Sequence, residues 1–259
     1  MSEDELFCLV VCTATCWFWV RWYRVALCFD DFGRHTAARI WAGIIPLAAL
    51  AGVLVVLRTV ASYDVRDSVK YTLFYLAMGA AWMQLTVAVA GGFGFVMRDD
   101  WIERGNPAAA VLGSGLVIGA AAAFAGGNIG DGPGWWVVVF SAGLSTGTMF
   151  CGLLLMNLSA NVVERITVGR DVGLAVRTGA FLAMAGVIAG RAVAGDWVSG
   201  GATVRDFFAT AWPLFGIALT LCFFEMVFRR ARLSATVSGV IAGLELSYAA
   251  YCLMWAGKW

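Results

Sequence analysis

The chain has 259 residues, of which 61% are hydrophobic and only 14% charged, with a mean hydropathy of +0.81. A soluble domain needs about a quarter of its residues charged to cover its surface. A soluble globule is therefore excluded, as are a disordered, a collagen-like and a disulfide-stapled chain. A net charge of +1, with no basic face or run, leaves no footprint for nucleic acid.

A membrane-spanning helix needs about 20 mainly apolar residues, because the hydrocarbon core is about 30 Å thick. Eight stretches qualify: roughly 5–22, 40–60, 69–97, 107–127, 134–158, 172–194, 207–228 and 235–256. Their apolar runs are continuous and rich in Ala, Leu and Gly, which indicates helices rather than barrel strands. The expected fold is an all-α, polytopic transmembrane bundle of about eight spans, a single integral membrane domain in a lipid bilayer. The start, Met1-Ser2-Glu3-Asp4-Glu5, is acidic, whereas a secretory signal is positively charged there. Residues 5–22 are therefore read as a genuine span. The stretch from Arg21 to Phe29 mixes cations with aromatics. It is read either as a surface-lying amphipathic helix or as an extension of the first span.

Positive charge sets orientation. The linkers after the first, third, fifth and seventh spans, with their flanks, hold twelve of the eighteen Lys and Arg residues, against six on the other side. That predicts a multi-pass protein of the cell (inner) membrane with both termini on the outer side.

Two segments share a pattern. Glu103-Arg104-Gly105-Asn106-Pro107, an Ala-rich helix and Ala125-Gly126-Gly127 are followed 64 residues later by Gly169-Arg170-Asp171, another Ala/Gly helix and Ala189-Gly190-Arg191. The shift superposes Gly105 on Gly169, Gly115 on Gly179 and Gly126 on Gly190. Two helices per unit make these parallel hairpin repeats, over 69–127 and 134–194, with degenerate copies at 1–60 and 207–256. The alternative is chance similarity between Ala/Gly helices with Arg-rich flanks. The paired spans, their short charged linker and the helix start Gly105-Asn106-Pro107-Ala108-Ala109-Ala110 resemble the YjfL-like bacterial inner-membrane domain over roughly residues 70–230. That resemblance implies a paired-helix membrane unit occurring in one or two copies, with no assigned biochemical function and no site residues to carry over.

Small residues let transmembrane helices approach closely, since lipid gives no hydrophobic drive to pack them. Gly115/Gly119, Gly143/Gly147, Gly186/Gly190 and Gly239/Gly243 form four such faces. They serve either packing within the bundle or assembly into a homo-oligomer or with other membrane subunits. Most of the twelve Trp, Trp19, Trp22 and Trp101 among them, fall near span ends and read as interfacial anchors. Trp82 and Trp212, inside spans, read as bundle or cavity residues.

An ionisable residue within a span is costly unless paired or hydrated, so each one marks a candidate site. Glu245 sits near the middle of the last span, and Gln84, Asn157 or water are the groups that could solvate it. Glu225 in the seventh span and Arg177 in the sixth lie at similar depth and can neutralise each other. Ser141, Ser145 and Thr148 share a broad face of the fifth span and either line a polar path or bond to neighbouring backbone. The loop from Gly126 to Gly134, with Asn128 and Asp131, and the later loop with Asp196 can present amides to a ligand or serve as plain turns. His35 is the single histidine, and the cysteines form no CxxC. Neither haem, metal nor another cofactor is expected, and a nucleophile–His–acid set is disfavoured. The readings that remain are a small-solute or ion transporter or channel component, and a membrane-embedded scaffold or accessory subunit.

Overall fold

The computed structural model describes residues 2–28, 36–228 and 233–255, and it is 84% helical without strands. Among the described residues ten α-helices run in chain order: α1 Glu3–Cys28, α2 Thr36–Thr59, α3 Tyr63–Arg66, α4 Val69–Gly91, α5 Pro107–Gly126, α6 Trp135–Ala160, α7 Val162–Thr167, α8 Val172–Ala192, α9 Gly200–Val227 and α10 Ala235–Trp255. Eight are long and apolar enough to cross a bilayer, all except the short α3 and α7. This is an integral membrane bundle of eight spans. His35 and the arginines at 34, 229, 230 and 232 lie outside the described residues. The helix α1 continues unbroken through Arg21 to Cys28, so that stretch extends the first span rather than forming a separate surface helix.

Helix ends follow from local chemistry. Asn106 caps α5, its Oδ1 accepting from the amides of Ala108 and Ala109, and Pro107 follows at the first position, where a missing N–H costs nothing. Asp171 caps α8 by accepting from the amide of Leu174. Immediately before each cap the backbone turns left-handed, at Gly105 (φ 54°) and Arg170 (φ 52°). The two helix starts therefore correspond at a spacing of 65, and Gly105 matches Arg170 rather than Gly169. After α4 the chain does not continue as helix to Met97. It turns at residues 92–94 and forms a π-helical segment, Arg98–Glu103.

The centre of the bundle is the pair α5 and α8, where 72% and 78% of the span is buried, against 22% for α1, α2 and α10. The two helices run in the same direction and touch through glycine. A Cβ on Gly115 would sit 2.6 Å from the Cα of Gly179, and one on Gly126 would overlap the backbone of Gly190. Gly119 and Gly186 make the same kind of contact, so the backbones approach with no side chain between them. Around this pair α2 packs on α5 and α10 on α8, while α1 packs on α4 and α9 on α6.

The other two glycine faces behave differently. Gly147, Gly239 and Gly243 have open space where a Cβ would go, and Gly143 meets only the edge of Trp82. Tryptophan placement also departs from the interfacial pattern. Trp101 is completely buried, edge-on to Trp22 and against Gly113. Trp19 and Trp22 donate their indole N–H groups to the carbonyls of Ala80 and Ala42. A buried indole needs such a partner, and helix backbones with small residues at those positions supply it. Trp82 lies inside the bundle, donating to Thr146 Oγ1, 64 residues on. Trp212 lies on the outside of α9, 68% exposed, where an apolar surface meets lipid.

Candidate functional site

Polar groups gather in two places, one towards each face of the bundle. The first lies near the arginine-rich face, defined by residues 92–106 and 161–171. On α9 the buried positions are Phe207, Ala211, Leu214, Ala218, Leu221, Cys222 and Glu225; on α10 they are Ser238, Ala242, Glu245 and Ala249. Both sets recur at three- and four-residue spacing, so each carboxylate lies on the stripe that its helix turns into the protein. Neither faces lipid.

Arg177, in the second turn of α8, ties the three helices together. Its Nε donates to Glu225 Oε1 at 2.6 Å, its Nη1 donates to Ser238 Oγ at 2.6 Å, and the guanidinium lies over the ring of Phe224. All three hydrogen-bonded residues are at most 1% exposed. Ser238 can come this close because Gly173 faces it; a Cβ there would be 2.8 Å from Ser238 Oγ. Arg165, in α7, reaches Glu225 Oε2 at 3.6 Å and Asp171 at 3.3 Å. Two arginines thus flank one carboxylate. Arg165 also borders a cleft of 840 Å³ between α7 and the end of α9, with Asn161, Glu164 and Met226. The network has an opening on that face.

Glu245 lies seven residues beyond Ser238 on the same stripe, about 10 Å further into the membrane. It is 6% exposed, and neither of its carboxyl oxygens has a hydrogen-bond partner among the described residues. The groups that sequence reasoning offered as its solvators are elsewhere. Gln84 lines a groove between α1 and α4 with Trp19, Trp22 and Arg98. Asn157 accepts from the amide of Val163 at the junction of α6 and α7.

The second polar region lies at the opposite, Gly/Asp face. Here three connecting segments meet through main chain. The amide of Gly195 donates to Ile129 O at 2.9 Å, that of Trp197 to Asp131 O at 2.8 Å, and Ala61 bridges to Ile129 and Gly130. The amide of Asp131 donates to Asp196 Oδ1. Gly130 (φ 102°) is pressed against the backbone of Gly195, which only glycine permits. Beneath lies a cavity of 140 Å³ bordered by Asn128, Asp131, Ser141 and Asp196. So these four predicted residues come together, 

while Ser145 and Thr148 do not join them. Ser145 donates across to Ala189 O on α8, and Thr148 donates back to Leu144 O. Among the described residues no three His, Cys, Asp or Glu side chains gather as metal ligands do.

Sequence reasoning gave no role to Ser238, Arg165 or Asn106. Asn106 Nδ2 donates to the carbonyls of Ile166 and Thr167, locking the start of α5 to the end of α7. The Asn-Pro pair was the available signal for Asn106, as a capped helix start. For Ser238, and for the contact of Arg165 with Glu225, no local signal exists, because those partners are 61 and 60 residues away.

Comparison with protein-family models, with curated proteins and with solved structures finds no match.

Proposed function

We propose that the protein is a small-solute or ion transporter or channel component whose proton-responsive group is Glu245. The observation that carries this is a protein-facing carboxyl in the middle of a span with no protein partner for either oxygen among the described residues. An ionised carboxylate there costs several kcal/mol unless water or a cation accompanies it. Its charge is therefore linked to whatever reaches it. The cleft beside Arg165 and the chain Arg165, Glu225, Arg177, Ser238 supply a polar approach from the arginine-rich face to within about 10 Å of it. By the positive-inside rule that face is cytoplasmic, in the cell (inner) membrane, with both termini outside. The contacts at 63- to 68-residue separations along α5 and α8 support duplication of a two-helix unit.

The test is proton flux in proteoliposomes carrying an internal pH dye under an imposed gradient. The wild-type chain is expected to dissipate the gradient faster than empty vesicles, and Glu245→Gln to abolish that while the protein stays monodisperse. Unchanged flux in the variant overturns the assignment.

A second reading, an accessory subunit of a larger membrane assembly, is favoured by one observation. Gly239 and Gly243 form a small-residue face on α10 that nothing among the described residues covers within Cβ reach. Co-purification of another membrane chain that is lost in Gly243→Leu, with no flux by the isolated protein, would select that reading.

A further inference from the structure

We propose that the groove between α1 and α4 at the arginine-rich face holds one anionic phospholipid, its phosphate between Arg21 and Arg98 and an acyl chain lying along α4. This goes beyond the role given to Glu245 and does not rest on it, since Glu245 lies on α10.

The groove follows from where α4 stops. The helix ends at Gly91, the chain turns at residues 92–94, and Val96 and Arg98 then border the same groove as Arg21 and Trp22 of α1. Its volume is 240 Å³, and Phe18, Trp19 and Val87 make the wall mainly apolar. Trp19 and Trp22 already donate their indole N–H groups to the carbonyls of Ala80 and Ala42, so their rings offer the groove only carbon. A Cβ on Gly91 would meet nothing within 4 Å, which leaves the groove open there.

Charge identifies the occupant. Arg21 and Arg98 border the groove, and no Asp or Glu does. Arg21 is exposed and makes no ion pair among the described residues. Arg98 is 46% exposed, and its Nη2 meets Glu103 Oε1 at 2.7 Å. A guanidinium has five N–H donors, so this pairing leaves others for a second acceptor. Two arginines beside an apolar groove between spans match a molecule with a negative headgroup on an apolar tail. A second copy of this chain is a poorer match. Inserted the same way up, it brings its own arginine-rich side, with twelve of the eighteen Lys and Arg residues, to the same level.

Gln84 is a second, independent observation. It borders the groove seven residues before Gly91 on α4, about 10 Å further into the membrane. Its carboxamide makes no hydrogen bond among the described residues, although it sits within a span. A polar group in that position requires a partner. The ester carbonyls that join phosphate to acyl chain can accept from its N–H groups, so headgroup, ester and tail each meet a matching wall. Size agrees with one chain. A cavity of about 150 Å³ holds benzene, so 240 Å³ takes a stretch of acyl chain, whereas a helix about 10 Å across does not enter.

The test uses the full chain, purified and stripped of lipid in detergent, in native mass spectrometry and thermal unfolding. Dioleoyl phosphatidylglycerol is the probe; dioleoyl phosphatidylcholine, inorganic phosphate and glycerol 3-phosphate are the controls. One saturable adduct and a raised Tm are expected with phosphatidylglycerol, at concentrations where the controls give neither. Arg21→Gln and Arg98→Gln should each weaken the adduct about fivefold, the loss of roughly 1 kcal/mol per arginine near the membrane surface. Gly91→Leu, which fills the groove and leaves both arginines in place, should remove the adduct without lowering the Tm of the lipid-free protein. Arg205→Gln, an exposed arginine of α9 away from the groove, should bind as the wild type does. Should Gly91→Leu fail to fold, the double variant Arg21→Gln/Arg98→Gln decides alone. Equal binding of phosphatidylcholine, inorganic phosphate or glycerol 3-phosphate overturns the proposal, as does an adduct unaltered in that double variant. A dimer that forms without added lipid and is lost in Gly91→Leu also overturns it, by seating a second copy in the groove.

Discussion

Gly115 and Gly179, 64 positions apart in the chain, stand back to back in the centre of the bundle, so close that a methyl on the first would lie 2.6 Å from the Cα of the second. The contact repeats down the seam at Gly126 and Gly190. Helices cannot separate there by a methyl's width without losing packing along the whole line, because no flexible side chain fills the gap.

Enlarging a seam glycine should therefore be far more harmful than enlarging one on an open face. Gly115→Val and Gly126→Val are expected to cost more than the about 1–3 kcal/mol of ordinary overpacking, since the obstacle is backbone. Gly147→Ala and Gly239→Ala, which meet nothing within 4 Å, should leave the melting temperature of the monomer unchanged or slightly raised. Fluorescence-detected gel filtration after a heating series measures both outcomes.

Removing Glu225 strands Arg177 in the protein interior, and removing Arg177 leaves Glu225 with only the longer 3.6 Å contact to Arg165. Arg177→Leu and Glu225→Leu are each expected to destabilise by about 3–5 kcal/mol. The double variant should recover much of that loss, because an apolar pair leaves no uncompensated charge. A thermal double-mutant cycle reads the recovery. Additive losses would mean that the pair does not act as one unit.

Glu245 should behave in the opposite way. Both of its oxygens lack protein partners among the described residues, so Glu245→Leu removes an unmet polar requirement. Stability is expected to hold or rise by about 1–3 kcal/mol. Loss of proton flux together with a gain in melting temperature is the signature of a residue kept for activity rather than for folding.

Asn106 anchors two connecting segments at once. Its side chain accepts at the start of α5 and donates to two carbonyls at the end of α7. Asn106→Ala forfeits the cap and leaves those carbonyls buried, an expected loss of about 2 kcal/mol or more. Asn106→Asp keeps the cap but turns an acceptor-only oxygen towards the carbonyls of Ile166 and Thr167 in a fully buried place, so it should be at least as destabilising as alanine in a denaturation series.

The spans were legible in the sequence because they depend on length and apolarity alone. Two span ends are misplaced: the sequence stays apolar to Met97, but the helix ends at Gly91 before the turn and π-helical segment that bury Trp101, and α9 begins at Gly200, ahead of the expected start at 207. How each helix is rotated was much less legible. A helix that is apolar all round gives no periodic signal for its inward face, which is why Trp212 and Gly243 read as packing residues and lie outside. Polar residues are the exception. Glu225, Glu245 and Arg177 mark the protein-facing side of their helices because lipid will not take them. The partners they find, Arg165 and Ser238, depend on tertiary contacts that no local pattern records.

The main-chain stitching of the Gly/Asp face supplies a natural gauge. The amides of Gly195 and Trp197 are held by carbonyls 66 residues away, not by their own turn. Local fraying cannot expose them unless Ile129 and Asp131 also move off, so their exchange with solvent deuterium times the parting of the α5–α6 and α8–α9 connections.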